Sequence, residues 1–192
     1  MRKILLLVSA LLLAACQSTP VQPPVEPIKF ISAPYALKVA TINITEDFTT
    51  THHTPHVEYQ FETPPDQAMK DWATSRLVAA GQQNRLEVDI IDASVIRTNI
   101  PKQKTGIEGF FTKEQTEEYE GTLEVTLKIY DNRKILPVAN AHVTAHQTLT
   151  LREDANLLDR KALYQQMTFN LMQQIDTELD KNIRQYFANY LL

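Results

Sequence analysis

Polar and apolar residues along this chain follow two distinct periods, and the points where one gives way to the other mark its elements. Tyr119, Leu123, Val125, Leu127 and Ile129 alternate with Glu118, Glu120, Thr122, Glu124, Thr126 and Lys128. A period of two marks a half-buried antiparallel strand. After Asp131, Asn132 and Arg133 the alternation resumes, with Ala141, Val143, Ala145, Leu149 and Leu151 inward and Asn140, His142, Thr144, His146, Thr148 and Thr150 outward. The two runs predict a hairpin of long strands. Upstream, Arg85 to Ile100 reads as one strand whose apolar parity switches between Leu86, Val88, Ile90 and Ile91, Ala93, Val95. A switch without a turn predicts a β-bulge near Ile90 and Ile91. Tyr35 to Ile44, YALKVATINI, predicts the first strand, and residues 45–64 carry no sustained period and read as a long loop.

Two segments follow the helical period instead. Thr63 offers a capping side chain, Pro64 and Pro65 suit a first turn, and Met69, Trp72, Ala73, Leu77 and Ala80 recur at three and four up to Gly81. This predicts about four turns stopped by the glycine. From about Asn156 to Leu192, the residues Tyr164, Met167, Leu171, Met172, Ile175, Leu179, Ile183, Phe187 and Tyr190 form one apolar stripe. A helix of that length spans roughly 50 Å and should overhang the sheet, leaving free length as a contact surface. The expected fold class is an α+β two-layer sandwich with a four-stranded, largely antiparallel sheet and two helices on one face. Its order is β-α-β-β-β-α, with a long C-terminal helix.

The N-terminus has a different character. Met1, Arg2 and Lys3 precede an almost unbroken apolar run from Ile4 to Leu13, followed by Ala14, Ala15 and Cys16, the only cysteine of 192 residues. The layout is that of a secretory signal, too short for the ~20 residues of a membrane-spanning helix. A lone cysteine fits covalent modification better than a disulfide framework. Residues 17–28 hold four prolines in QSTPVQPPVEPI and predict an extended tether. The organisation expected is a cleaved signal peptide over 1–15, Cys16 and a proline-rich tether over 16–29, and one domain over 30–192. The formal net charge of −4 offers no basic stripe and speaks against nucleic acid as a partner.

Leu13, Ala14, Ala15 and Cys16 resemble the lipobox of bacterial lipoproteins. That resemblance implies cleavage before Cys16 and covalent attachment of diacylglycerol and an acyl chain to it, with no other cofactor. Gln17 stands where an aspartate would favour retention at the inner membrane. The implied address is therefore the outer membrane, on its periplasmic face. Lipobox, tether and element order together resemble the LPS-assembly lipoprotein and the auxiliary lipoproteins of ABC-type lipid transport, over roughly residues 35–192. The resemblance implies a non-catalytic accessory subunit in envelope lipid transport or outer-membrane assembly, with the membrane and an envelope protein or lipid as partners.

Two segments carry candidate chemistry. The 101–118 loop, PKQKTGIEGFFTKEQTEE, brings Ile107, Phe110 and Phe111 beside Gly106 and Gly109. Apolar residues on a long loop suit contact with a partner or lipid, or fold back over the core. His52, His53 and His56 in THHTPH define the alternative, a metal- or small-ligand-binding lipoprotein. His142 and His146 lie about 13 Å apart along one strand face and do not share an ion. Motifs for nucleophilic, nucleotide or dinucleotide chemistry are absent from the sequence, and the expectation is that the protein is not an enzyme. A hydrolase with residues scattered along the chain would need a polar cleft in the fold.

Overall fold

The computed structural model describes residues 33–101 and 114–192. Cys16, the tether, Ile107, Phe110 and Phe111 lie outside the described residues. The elements are β1 (Tyr35–Leu37), β2 (Thr41–Glu46), α1 (Pro65–Arg76), β3 (Leu77–Ala79), β4 (Arg85–Asp92), β5 (Val95–Asn99), β6 (Gln115–Tyr130), β7 (Ala139–Arg152) and α2 (Leu157–Tyr186). Short 3-10 turns occur at Glu58–Gln60 and Ala188–Tyr190.

The hairpin expected from the alternation is the centre of the fold. β6 and β7 pair antiparallel from Gln115↔Arg152 to Ile129↔Ala139, and Tyr119, Leu123, Val125, Leu127 and Ile129 are fully buried. On β7, Ala141, Val143, Ala145 and Leu151 are buried while Asn140, His142, Thr144 and His146 face out. The outward histidines are held apart by separate partners, His142 Nδ1 at 3.0 Å from Thr126 Oγ1 with its Nε2 at 3.4 Å from Glu124 Oε1, and His146 Nδ1 at 3.1 Å from Thr122 Oγ1.

Three expectations are corrected. The four-stranded sheet has five strands, because the run from Arg85 to Ile100 breaks into β4 and β5. They lie end to end along β6, pairing with Tyr130 to Glu124 and with Gly121 to Glu117 respectively. The register shift between Ile90 and Asp92 is the bulge that the parity switch foretold. Beyond it, Asp92 Oδ1 accepts the Ser94 amide at 2.9 Å and bends the chain before β5 begins. Along its other side β4 pairs with β2 in parallel, and this is the one parallel pairing of that sheet among the described residues.

The expected first strand is also two, with a turn at Lys38 to Ala40, and its first part leaves the main sheet. There β1 pairs in parallel with β3 from Tyr35↔Leu77 to Leu37↔Ala79. Thus the first helix is shorter than expected, ending at Arg76, where Leu77 turns extended instead of continuing the helical stripe. Gly81 does not stop a helix. A Cβ there would stand 2.5 Å from the Lys38 carbonyl carbon, so glycine permits the β1 turn to pass against it. The N-cap is Pro64, without a side-chain bond, and the Thr63 carbonyl instead accepts the Thr168 hydroxyl of α2 at 3.0 Å.

α2 carries the expected stripe. Met167, Leu171, Met172, Ile175, Leu179 and Ile183 are fully buried against β6 and β7, with α1 set beside them through Ala68, Met69 and Trp72. Its 30 residues run about 45 Å. Because α2 starts after β7 and returns along it, the domain has two distinct ends. One holds the start of α2 and the open ends of β5 and β6, and the other holds the 131–138 turn and Tyr190. Among the described residues no helix is long and apolar enough to cross a membrane.

Candidate partner-docking site

The start of α2 is fixed by side-chain capping. Asn156 Oδ1 accepts the amides of Leu158 and Asp159 at 2.7 and 3.1 Å, and Asp159 returns a carboxylate oxygen to the Asn156 amide at 2.9 Å. Such reciprocal bonds satisfy amides that a first turn otherwise leaves bare. The side chains this cap presents are Leu157 and Leu158, 68% and 74% exposed. Burial on the helix begins only at Leu163, so its first turn stands clear of the sheet as an apolar step.

Behind that step the domain is braced. Arg160 binds Glu117 and the Tyr119 hydroxyl, and the Tyr164 hydroxyl donates to Gln60 Oε1 at 3.0 Å. Phe61 stacks on Tyr164 at 4.2 Å and Tyr119 meets its edge at 5.8 Å. Burial raises the Tyr119 hydroxyl above its ordinary value, with the Glu117 carboxylate adding to it, so the phenol stays protonated and donates. The stems that flank residues 102–113 are pinned here too, by Ile100 N to Thr116 O at 2.8 Å and Glu153 N to Glu114 O at 3.0 Å. The described chain ends at Pro101 and Glu114 therefore lie at the same end of the domain as the start of α2.

This brace and ion pairs elsewhere in the domain share a common acid sensitivity. Burial alone would raise the Glu117 carboxyl, but bonds from Arg160 and Tyr119 outweigh it and hold it below its ordinary 4.5. Asp89 is likewise pushed up by burial and pulled lower by Thr45 and Lys128, while Arg184 and then Tyr35 hold Asp180 below 3.8. A carboxylate with a depressed folded pKa contributes stability above its unfolded value, and loses it as pH falls through the folded one. The melting temperature should be level above about pH 5 and fall steadily below it. Glu117→Gln should make that fall shallower, and an unchanged acid slope would show that the Arg160 pair contributes nothing.

The three loop histidines are not brought together. The His52 ring lies 5.2 Å from the Tyr59 ring, His53 is exposed, and His56 pairs with Ile96 at the edge of β5. His56 Nδ1 faces Glu58 Oε1 at 3.5 Å, and the other oxygen of the buried Glu58 accepts the amides of Val57 and Val95 at 3.2 and 3.1 Å. Among the described residues no three His, Cys, Asp or Glu side chains converge to hold an ion.

Sequence reasoning missed several residues that the fold makes prominent. Glu58 passed as a loop residue, although VEYQF around it is apolar enough to signal burial. Arg76 sits four residues after Trp72 on the buried face of α1, and Asp176 and Asp180 recur at four on α2 beside the stripe. That shared spacing was the available signal for the network these residues form.

No family model matches the chain, and no curated protein matches it. Among solved structures, a minor lipoprotein from Acinetobacter baumannii is similar at 16% identity and a TM-score of 0.38, over 82% of this chain and 96% of that one. A neuraminyllactose-binding hemagglutinin homolog from Helicobacter pylori is similar at 11% identity and a TM-score of 0.42, over 84% and 96%. The rare lipoprotein B from Shewanella oneidensis is similar at 9% identity and a TM-score of 0.32, over 75% and 98%. At these scores the likenesses are loose, and the functional reading rests on this chain's own residues.

Proposed function

We propose that this protein is a bacterial envelope lipoprotein, anchored through acylated Cys16 at the periplasmic face of the outer membrane. In this reading it acts without catalysis, as an accessory subunit in envelope lipid transport or outer-membrane assembly. The observation that carries it is the capped, braced and exposed step of Leu157 and Leu158. Two leucines held out by a rigid helix start form a docking point whose ordering cost is already met before a partner arrives. Ile107, Phe110 and Phe111 fall between the described ends at Pro101 and Glu114, at this end of the domain, and this reading assigns them to the same contact.

Photo-crosslinking in the native envelope tests this directly, with probes at Leu157, Leu158, Ile107, Phe110 and Phe111 and at exposed Glu178 as a control. A discrete protein or lipid adduct from the first five and none from the sixth is the expected result. Probes that incorporate into folded protein yet yield no adduct would sink the docking role. Intact mass of the mature chain reads the anchor independently, since acyl chains on Cys16 add mass whether or not a partner binds.

A further inference from the structure

At the far end of the domain the turn between β6 and β7 holds two aliphatic side chains in water. Ile135 is 94% exposed and Leu136 75%, the two most exposed large apolar side chains among the described residues. The tip is well held. Asp131 Oδ1 accepts the Arg133 amide at 2.9 Å, the Asp131 carbonyl accepts the Lys134 amide at 2.9 Å, and Val138 N closes the hairpin on Ile129 O at 2.8 Å. These bonds hold the backbone on both sides of Ile135 and Leu136, which stand in solvent between them.

Charge at the tip opposes that of the chain. The formal net charge is −4, yet Asp131 to Val138 contains Arg133 and Lys134 against a single acid, Asp131. Asp131 is engaged by Arg133 at 3.3 Å and also feels the charge of Lys134, so one carboxylate faces two cations at the tip. Lys38 adds a further cation at this end, its Nζ at 3.3 Å from the Asn189 carbonyl. Cations directly beside exposed aliphatics match a surface with phosphates outside and acyl chains beneath.

The point where the chain enters the domain lies in the same half. Arg76 holds the Ala33 carbonyl and Asp180 the Tyr35 hydroxyl. From there β1 runs to Lys38, whose amide bonds the Tyr190 carbonyl at 2.7 Å, and Tyr190 lines a groove with the tip. Residues 17–32 span up to about 50 Å when extended at ~3.1 Å each. A bilayer holding the acyl chains of Cys16 is therefore within reach of the tip.

We propose that the β6–β7 tip is a membrane-contact element, seating Ile135 and Leu136 among the headgroups of an anionic phospholipid surface with Lys134 and Arg133 on the phosphates. The reach rests on the acyl anchor of the proposed function, while the tip chemistry stands without it. Contact at this end would leave Leu157 and Leu158 facing away from the bilayer, about 45 Å off along α2.

The test uses the full, processed chain carrying Leu136→Cys, labelled with an environment-sensitive fluorophore and reconstituted in phosphatidylethanolamine and phosphatidylglycerol vesicles. Ile135→Cys serves as a second variant if the first folds poorly, and Thr148→Cys as the exposed control. The tip label should shift to the blue and be quenched by brominated acyl chains. Both effects should weaken severalfold in pure phosphatidylcholine or with Arg133→Glu and Lys134→Glu, while the control label stays aqueous. A tip label that remains aqueous on anionic vesicles overturns the proposal. One that is dehydrated only in native envelopes also overturns it, making the tip a protein contact. Labelling of Cys16 in the parent chain would overturn the anchor alone, and the tip would then be read by difference against that chain.

Discussion

Asp176→Ala should cost about 3 kcal/mol of folding stability, the largest effect expected of any surface-accessible substitution here. Arg76 is only 2% exposed, and its Nε lies 3.4 Å from Asp176 Oδ1. The same oxygen accepts the Trp72 indole N–H at 2.7 Å. Removing the carboxylate leaves a buried guanidinium with Asp180 at 3.9 Å as its remaining counter-charge, and an indole donor without an acceptor. Asp180 cannot swing to replace it, because Arg184 at 2.9 Å and Tyr35 already hold it. The lower end of the ~3–5 kcal/mol range for a broken buried pair applies, because Asp176 is 29% exposed and water can reach the vacated space. Asp176→Asn keeps an acceptor for Trp72 and should cost less. Adding Arg76→Met to Asp176→Ala should recover much of the loss, since no buried charge then remains. Urea unfolding of the four proteins measures each quantity, and a loss below about 1 kcal/mol for Asp176→Ala would mean that the guanidinium is already solvated.

That network also shows where sequence reading reaches its limit. Strands β6 and β7 and helix α2 were legible because each is long enough for its period to be unmistakable, and each buries one face only. The bulge was legible for the same reason, since a parity switch inside a strand has one simple geometric meaning. Short elements gave no such signal. Leu77 and Ala80 continue the helical spacing of α1, yet Leu77 to Ala79 pair with β1, a partner 42 residues away in sequence. Nonlocal pairing overrode local propensity there. Gly81 was noticed for the right reason of permissiveness and assigned the wrong use, because the Lys38 backbone that presses on it is invisible in sequence.

The candidate sites divide along the same line. Apolar residues in loops have equal hydropathy whether they cover a core or meet solvent. Val57 and Phe61 belong to an aperiodic segment and are buried, whereas Ile135 and Leu136, which follow the hairpin turn, stand in water. Only the fold separates the two cases. Leu157 and Leu158 precede the apolar stripe, which starts at Tyr164, and their exposure shows only once the helix is set against the sheet. The histidine cluster shows the converse, since close spacing in THHTPH did not bring the three imidazoles together once His56 was drawn toward Glu58 and β5.

Leu171→Ala should cost about 2–5 kcal/mol, and the position within that range depends on Gly121. Leu171 is fully buried on α2 and reaches down onto β6, where a Cβ on Gly121 would meet Leu171 Cδ1 at 3.0 Å and Met167 Sδ at 2.6 Å. Gly121 is the one position on the buried face of β6 without a side chain, and the two helix residues fill the space it leaves. In the parent protein Gly121→Ala should therefore destabilise slightly, because Met167 must move, though a flexible thioether yields easily. In the Leu171→Ala protein the same substitution should reverse sign. The added methyl would occupy part of the cavity, and alanine restricts the unfolded chain more than glycine does, by about 0.4–1 kcal/mol. Reversal of sign requires the two sites to touch, since distant substitutions simply add. Strict additivity across the four proteins would show that α2 is not seated on Gly121, and with it would fall the register that places Leu157 and Leu158 beyond the sheet at one end and Tyr190 against the hairpin tip at the other.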